Sequence, residues 1–279
     1  MNKNKLSIVN DVLKEFIRKN DENKDWIYEI NQSDEWLILV YEAFLEFEGE
    51  FNKLLKIQQS KIIDSIQNGT ITNEILNLYI ENIEKQQKLY EQIIYKHFVN
   101  IVNQVRKEIL ISLGQTDISI SFDLLNSNAL KFLEDKKIKF AIKVADTTHK
   151  AIIKELSEGF KTGESIPQLS NRIKYMPEFD IKRATVVSRT EIISSSNFGT
   201  LQGYKESGVV IGKQWSSTKD ARTREHHKEA EGQRVSIDDP FIVDGDLLDY
   251  PGDNSYDAKA SNVIQCRCSL IPILEGDVI

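Results

Sequence analysis

Apolar residues recur at helical spacing along two long stretches of the first half of the chain, 31–67 and 72–114. This period of about 3.6 residues is typical of amphipathic helices. We therefore predict two long helices, the first capped by Ser33 and the second ended by Gly114. The predicted buried stripes are Leu37, Tyr41, Phe44, Phe47 and Phe51 in the first, and Ile75, Leu78, Ile83, Leu89, Ile93, Phe98, Ile101 and Val105 in the second.

Residues that break helices are concentrated in the second half of the chain. All five prolines lie at or after Pro167, and ten of the thirteen glycines lie at or after Gly159. Long uninterrupted helices therefore suit the first 150 residues. Further predicted helices are Asn128–Ser157, stopped by Gly159, a short helix capped by Ser165, and a helix from Asp180 to Glu206 ended by Gly208.

After Gly208 the pattern changes to short β-branched runs bounded by Gly, Pro, Asp or Ser, which predict strands of a small mixed sheet. The runs are GVVIGKQWSS (208–217), QRVSI (233–237), PFIV (240–243) and SNVIQCRCSLIPI (261–273). The predicted fold class is α+β. We expect a long-helix N-terminal domain over residues 1–150 and a mixed α/β C-terminal domain over residues 151–279.

Composition narrows the class of protein. The net charge of −7 over 279 residues argues against a protein that coats nucleic acid along its whole surface. The lysine-rich segment Glu134–Lys143 is either a solvated helix face or a local DNA contact. No apolar run approaches the roughly 18–20 residues that span a bilayer. The N-terminus lacks the apolar core of a signal peptide. We expect no membrane anchor and location in the cytoplasm where the protein is made.

The only two cysteines, Cys266 and Cys268, stand two residues apart. On a strand, residues at this spacing point to one face, so both thiols would lie side by side. Three interpretations stay open. The pair could form a strained disulfide, pack as small core residues, or supply half of a metal site.

A metal site needs further ligands, and the segment STKDARTREHHKEAEGQ contains candidates. His226 or His227 could provide an imidazole, and Asp220 a carboxylate. With Cys266 and Cys268 they would make a tetrahedral zinc site, which we expect to be structural because no HExxH motif is present.

A second charged cluster lies on the predicted helix after Asp180 and contains Arg183, Arg189 and Glu191. It is either mixed surface charge, with Arg189 bridging to the sheet, or a site for an anionic ligand or ADP-ribosyl transfer. No glycine-rich phosphate loop accompanies it.

The motifs of the second half occur in a fixed order that resembles the C-terminal domain of the Mu F-like phage minor head proteins, the head-morphogenesis family. The family's histidine maps onto His227, and Gln265 stands where the family often has Asn. The N-terminal half carries no such blocks. The matching blocks are Arg189–Glu191, Trp215, Asp220–His227, Gly232–Gln233, Phe241, Pro251–Asp253 and Cys266–Cys268.

The resemblance implies a structural protein without catalytic residues. Such a protein sits in few copies inside a tailed-phage procapsid, associates with the portal and with capsid or scaffold proteins, and aids head assembly or genome packaging and delivery. Its expected location is the virion interior, and the host cytoplasm during assembly. Packaged DNA is a further candidate partner. The alternatives are an ADP-ribosyltransferase- or nuclease-type enzyme or toxin, and a DNA-binding accessory factor.

Overall fold

The computed structural model of the chain describes residues 30, 32–68, 83–115 and 127–277. Helices dominate the first part of these residues and short strands the last part. The helices are α1 (Asp34–Gln67), α2 (Ile83–Ser112), α3 (Ser127–Lys161), α4 (Ile166–Lys174), a 3₁₀ turn (Pro177–Phe179), α5 (Ile181–Ser207), α6 (Glu225–Glu229) and α7 (Ala260–Val263). The strands are β1 (Val210–Ser216), β2 (Arg234–Ser236), β3 (Phe241–Val243), β4 (Asp246–Leu248) and β5 (Ser269–Leu274).

The strands form two small antiparallel sheets. The first has the order β2-β1-β5, with Lys213 opposite Val235 on one side and Pro272 on the other. The second is the hairpin β3–β4, in which Ile242 pairs with Leu247. Long helices followed by small antiparallel sheets confirm the predicted α+β class.

The chain packs as two compact units. The first unit comprises the described residues of 1–43, 101–120 and 190–279, and the second those of 44–100 and 121–189. We refer to residues 190–277 of the first unit as the C-terminal module. The predicted domain division between residues 150 and 151 stays a prediction.

The start and the buried stripe of α1 confirm the sequence pattern. The Ser33 hydroxyl accepts a hydrogen bond from the Trp36 backbone N–H at 3.2 Å, which satisfies an amide that the first helical turn leaves without a partner. All five predicted stripe residues of α1 are buried.

The stripe of α2 is only partly as predicted. Leu89 is 44 % exposed, and its neighbour Tyr90 is buried instead, with its hydroxyl donating to Gln58 Oε1 at 2.6 Å. Adjacent residues of a helix point about 100° apart, and here Tyr90 is the one that faces the core. Phe98, Ile101 and Val105 are buried as predicted, whereas Ile75 and Leu78 lie outside the described residues.

Gly159 does not end α3, contrary to the prediction. The helix continues to Lys161, and Gly163, with φ +65°, closes it. Gly159 instead lets α4 approach, since a Cβ at this position would lie 2.3 Å from Leu169 Cδ2. At the start of α4, Ser165 and Gln168 form the predicted cap, with the Ser165 backbone N–H donating to Gln168 Oε1 at 2.8 Å.

Two glycines on α5 bring this helix close to α2 within the first unit. A Cβ on Gly199 would lie 2.9 Å from the Val102 carbonyl oxygen, and one on Gly203 would lie 2.8 Å from Ile109 Cγ2. Every residue from Ile192 to Leu201 is buried, so this stretch of α5 is the core helix of the unit.

The cysteines do not lie on a strand, contrary to the interpretation of SNVIQCRCSLIPI. Its first residues form α7, and β5 begins only at Ser269, after Cys268. Gln265 has φ +54°, a left-handed conformation that no strand continues through. The two thiols therefore meet through a turn rather than through strand alternation.

Candidate metal centre

His227, Cys266 and Cys268 converge in the C-terminal module. His227 lies on α6, and the cysteines lie on the loop between α7 and β5. His227 Nδ1 is 3.3 Å from Cys268 Sγ and 3.8 Å from Cys266 Sγ. The three ligand atoms lie within 4.8 Å of one another, and each of the three residues is 2 % exposed.

These distances fit a tetrahedral metal. Zinc bonds of about 2.3 Å to sulfur and about 2.0–2.1 Å to nitrogen place the two donor atoms about 3.6 Å apart at a tetrahedral angle. The observed sulfur–nitrogen distances bracket this value. Two thiolates and an imidazole are the donor set that soft or borderline cations such as Zn²⁺ prefer.

Each of the two thiols shifts the pKa of the other. The pKa of Cys266 lies well below its usual range, because the Cys268 thiol and the His227 ring stabilise its thiolate against the effect of burial. Burial raises the pKa of Cys268, and the charge of Cys266 raises it further. A bound cation would stabilise both thiolates.

Aromatic packing fixes the histidine. Trp215 on β1 contacts His227 edge to face, with ring centroids 5.7 Å apart, and contacts Phe241 in the same way at 5.4 Å. His227 Nε2 has no hydrogen-bond partner among the described residues. The neighbouring His226 turns away, with its Nε2 3.4 Å from the Ser261 carbonyl oxygen. Of the two candidate histidines, only His227 lies beside the cysteines.

Asp220, the fourth candidate ligand, is not part of this group. Its two carboxylate oxygens accept hydrogen bonds from the Arg267 guanidinium at 2.6 and 2.7 Å. Arg267 stands between the two cysteines in sequence, and its side chain is 6 % exposed. The described contacts favour a fixed ion pair for Asp220, and its role as a ligand stays a prediction.

Polar residues of α5 to which no sequence motif gives a role hold the metal-centre loops. The Asn197 amide donates to the carbonyl oxygens of Cys268 at 2.9 Å and Pro251 at 3.0 Å. Thr190 Oγ1 accepts from the Gln265 backbone N–H at 3.0 Å. The signal in the sequence is the run of small polar residues at 194–197, which is buried rather than exposed.

Other motif residues also make structural contacts. The Gln233 amide bonds both the N–H and the C=O of Ile242, at 2.8 and 3.1 Å, as a paired strand would. The Asp253 carboxylate accepts from the backbone N–H groups of Asp249 and Ser255, at 2.9 and 2.8 Å. Both motifs therefore shape the loops around β3 and β4.

Lys213 on β1 is buried, and its ammonium donates to the Asp249 carbonyl oxygen at 2.8 Å and lies 5.4 Å from the centre of the Phe241 ring. Burial lowers the pKa of Lys213 to about 8. The ammonium thus fastens the loop after β4 to the first sheet. The charged groups that influence it are Asp249, Lys205, Asp238 and Asp253.

The structure describes side-chain contacts for Arg183 of the arginine cluster, but none for the lysines of the lysine-rich segment. In the second unit, the Arg183 guanidinium donates to Thr148 Oγ1 at 2.8 Å and to the Glu178 carbonyl oxygen at 3.0 Å. These contacts are those of a helix-packing residue. The lysine side chains of 136, 137, 139 and 143 lie outside the described part of the structure, so the DNA contact stays a prediction.

None of the described helices is both long and apolar enough to cross a membrane.

Comparison with known proteins finds a family match for the second half of the chain. The family model of the phage Mu protein F-like proteins matches residues 150–271. The uncharacterized protein YqbB of Bacillus subtilis strain 168 is 22% identical over 247 residues, which cover 84% of this chain and 79% of that protein. Minor head protein GP7 of Bacillus phage SPP1 is 25% identical over 126 residues, which cover 44% of this chain and 40% of that protein. No solved structure matches the chain.

A further relative carries an enzyme name. NAD(+)–arginine ADP-ribosyltransferase EFV of Enterococcus faecalis strain ATCC 700802 / V583 is 29% identical over 169 residues, which cover 57% of this chain but 34% of that protein. The chain thus spans about a third of EFV and two fifths of GP7. The ordered motifs, the α+β architecture and the match over residues 150–271 agree, and in these residues the chain is similar to the phage Mu protein F-like proteins.

Proposed function

We propose that the protein is a minor head component of a tailed phage, located inside the procapsid, where it associates with the portal and aids head assembly or genome packaging and delivery. The family match over residues 150–271 carries this proposal, and the similarity to a minor head protein of phage SPP1 supports it. The motif residues add support, because their described contacts build a module rather than a substrate pocket. On this proposal the protein is present in the virion, and in the host cytoplasm during assembly, and catalyses no reaction.

A portal partner would contact apolar side chains that are exposed on the protein. The stripe of α1 is buried within the protein, so a partner would contact exposed apolar side chains instead. Leu89 on α2, at 44 % exposure, is such a side chain in the second unit. Burying its exposed part in a partner would contribute about 1 kcal/mol, since complete burial of a fully exposed leucine contributes about 1.5–3 kcal/mol.

Co-expression of the tagged chain with the portal protein of its own phage tests the association. We expect wild-type protein and the Gln92→Asp control to retain the portal, and Leu89→Asp, with the same added charge on the same helix, to retain less. Mass spectrometry of purified heads provides the second readout. Heads that assemble and package DNA without this chain would refute the proposal, whereas full portal retention by Leu89→Asp would refute only the contact surface.

We also propose that His227, Cys266 and Cys268 bind a structural zinc ion that braces the C-terminal module. The support is the donor set, the sulfur–nitrogen distances and the burial of all three residues. When bound, zinc would join α6 to the loop before β5. Burial leaves the donors inaccessible to a substrate, which favours a structural over a catalytic ion.

The similarity to EFV supports one second candidate, an ADP-ribosyltransferase. Two thirds of EFV lie outside the match, so its ADP-ribosyltransferase activity need not reside in the part that the two proteins share. Incubation of the purified chain with labelled NAD⁺ and arginine-rich acceptor proteins distinguishes the candidates. We expect no transfer; labelled acceptor would establish the enzyme.

A further inference from the structure

We propose that the metal centre is preformed: the Asp220–Arg267 ion pair, assisted by Thr218, positions the cysteine loop against α6 before a metal binds. This inference rests on the proposed zinc site. It replaces the role of Asp220 as a ligand with the role of a positioning residue.

The ion pair is the first link between the two ligand-bearing segments. Each carboxylate oxygen of Asp220 accepts a hydrogen bond from one terminal nitrogen of Arg267, a bidentate geometry that fixes the relative orientation of the two side chains. Asp220 also accepts from Thr223 Oγ1 and from the Arg222 backbone N–H, each at 3.0 Å. It therefore orders the turn that leads into α6 and His227.

Two further hydrogen bonds join the same segments. Thr218 Oγ1 donates to the Arg267 carbonyl oxygen at 2.8 Å, and the Arg224 guanidinium donates to the Ile264 carbonyl oxygen at 2.6 Å. The segment before His227 is thus tied to the cysteine loop on both sides of Cys266.

The cysteine loop is held from a third direction by α5. Thr190 binds the backbone N–H of Gln265, the residue with φ +54°, and Asn197 binds the Cys268 carbonyl oxygen. A left-handed conformation is unfavourable for a glutamine, so this turn needs such contacts to persist.

None of these bonds uses a sulfur atom or the His227 ring, so all of them remain available when no metal is bound. They already place the sulfurs and Nδ1 at distances that bracket the tetrahedral value of about 3.6 Å. The centre thus differs from a zinc finger, in which the metal itself supplies the folding energy.

Zinc titration against a chromophoric chelator, at a temperature where every variant is folded, tests the proposal. We expect Asp220→Asn and Arg267→Lys each to weaken zinc binding about 10- to 100-fold, the usual effect of losing a group that orients ligands. Lys219→Ala, a neighbour whose side chain is 84% exposed, is the control and should bind as wild type does. The Co²⁺ absorption of Asp220→Asn should keep the wild-type band positions, because no ligand has been lost.

Three results would overturn the inference. Zinc affinity unchanged in both variants would show that the pair does not position the ligands. An altered Co²⁺ spectrum in Asp220→Asn, with unchanged affinity in Arg267→Lys, would make Asp220 a ligand. Unfolding of the wild-type module by a chelator, followed by circular dichroism, would show that the metal organises the loop. A wild-type protein that binds no zinc refutes the metal site itself and leaves the head function to be judged by the portal experiment.

Discussion

Replacing Gly199 by alanine tests the close packing of α5 on α2, on which the C-terminal module depends. Alanine is favoured over glycine inside a helix by about 1 kcal/mol. At Gly199, however, the new methyl group would lie 2.9 Å from the Val102 carbonyl oxygen and 3.2 Å from Val102 Cα. Both distances are shorter than the 3.4–4 Å of ordinary van der Waals contact. Both neighbours are backbone atoms, so the helices themselves must separate.

Gly49 in α1 provides the matched control, because a Cβ there meets nothing within 4 Å. Overpacking of this kind costs about 1–3 kcal/mol. Since both variants gain the same helix propensity, their difference in unfolding free energy isolates this packing cost. We expect Gly49→Ala to stabilise the protein by about 0.5–1 kcal/mol. The free energy of unfolding of Gly199→Ala should be about 1–3 kcal/mol lower than that of Gly49→Ala.

Urea unfolding followed by circular dichroism at 222 nm measures both variants, and agreement of the slopes confirms that the same surface unfolds. If Gly199→Ala is as stable as Gly49→Ala, the close helix approach is absent and the position of α5 must be revised.

Two further predictions concern the loops around the sheets. Burial lowers the pKa of Lys213 to about 8, below its value of about 10.4 in an unfolded chain, so the unfolded state binds more protons between these values and stability rises with pH there. In Lys213→Met this rise should disappear from melting curves between pH 7.5 and 10, and an identical pH dependence in both proteins would contradict the burial of the ammonium. Gln233→Ala removes both bonds to the backbone of Ile242 and should cost about 1–2 kcal/mol; hydrogen exchange at the Ile242 amide should accelerate, and unchanged exchange would refute the clamp.

Local sequence signals predicted the elements that local chemistry determines. The Ser33 hydroxyl caps α1 by accepting from an amide of the first turn, and the Gln168 side chain accepts from the Ser165 backbone N–H at the start of α4. Both contacts need only neighbouring residues. Gly208, with φ +69°, ends α5 for an equally local reason. These features could be read without knowledge of the fold.

Features that depend on distant contacts could not be read in this way. The local pattern predicts a helix stop at Gly159, but this glycine admits the Leu169 side chain, a contact that no local pattern encodes. The local pattern predicts a strand through the cysteine pair, because no glycine marks the left-handed turn at Gln265. The order of the motifs predicts that His227 lies close to the cysteines. Neither a motif nor a spacing predicts that Arg267 forms an ion pair with Asp220. An arginine between two cysteines was the available clue.

Elemental analysis of the purified protein, paired with the Cys266→Ser, Cys268→Ser double variant, tests most directly the claim that the C-terminal module is braced by a metal. The account predicts one zinc per chain in the wild type, none in the double variant, and a lower melting temperature for the variant than for the zinc-loaded wild type. A metal-free wild-type protein, purified without chelators and indifferent to added zinc in its melting temperature, would contradict it and leave the two thiols as core residues.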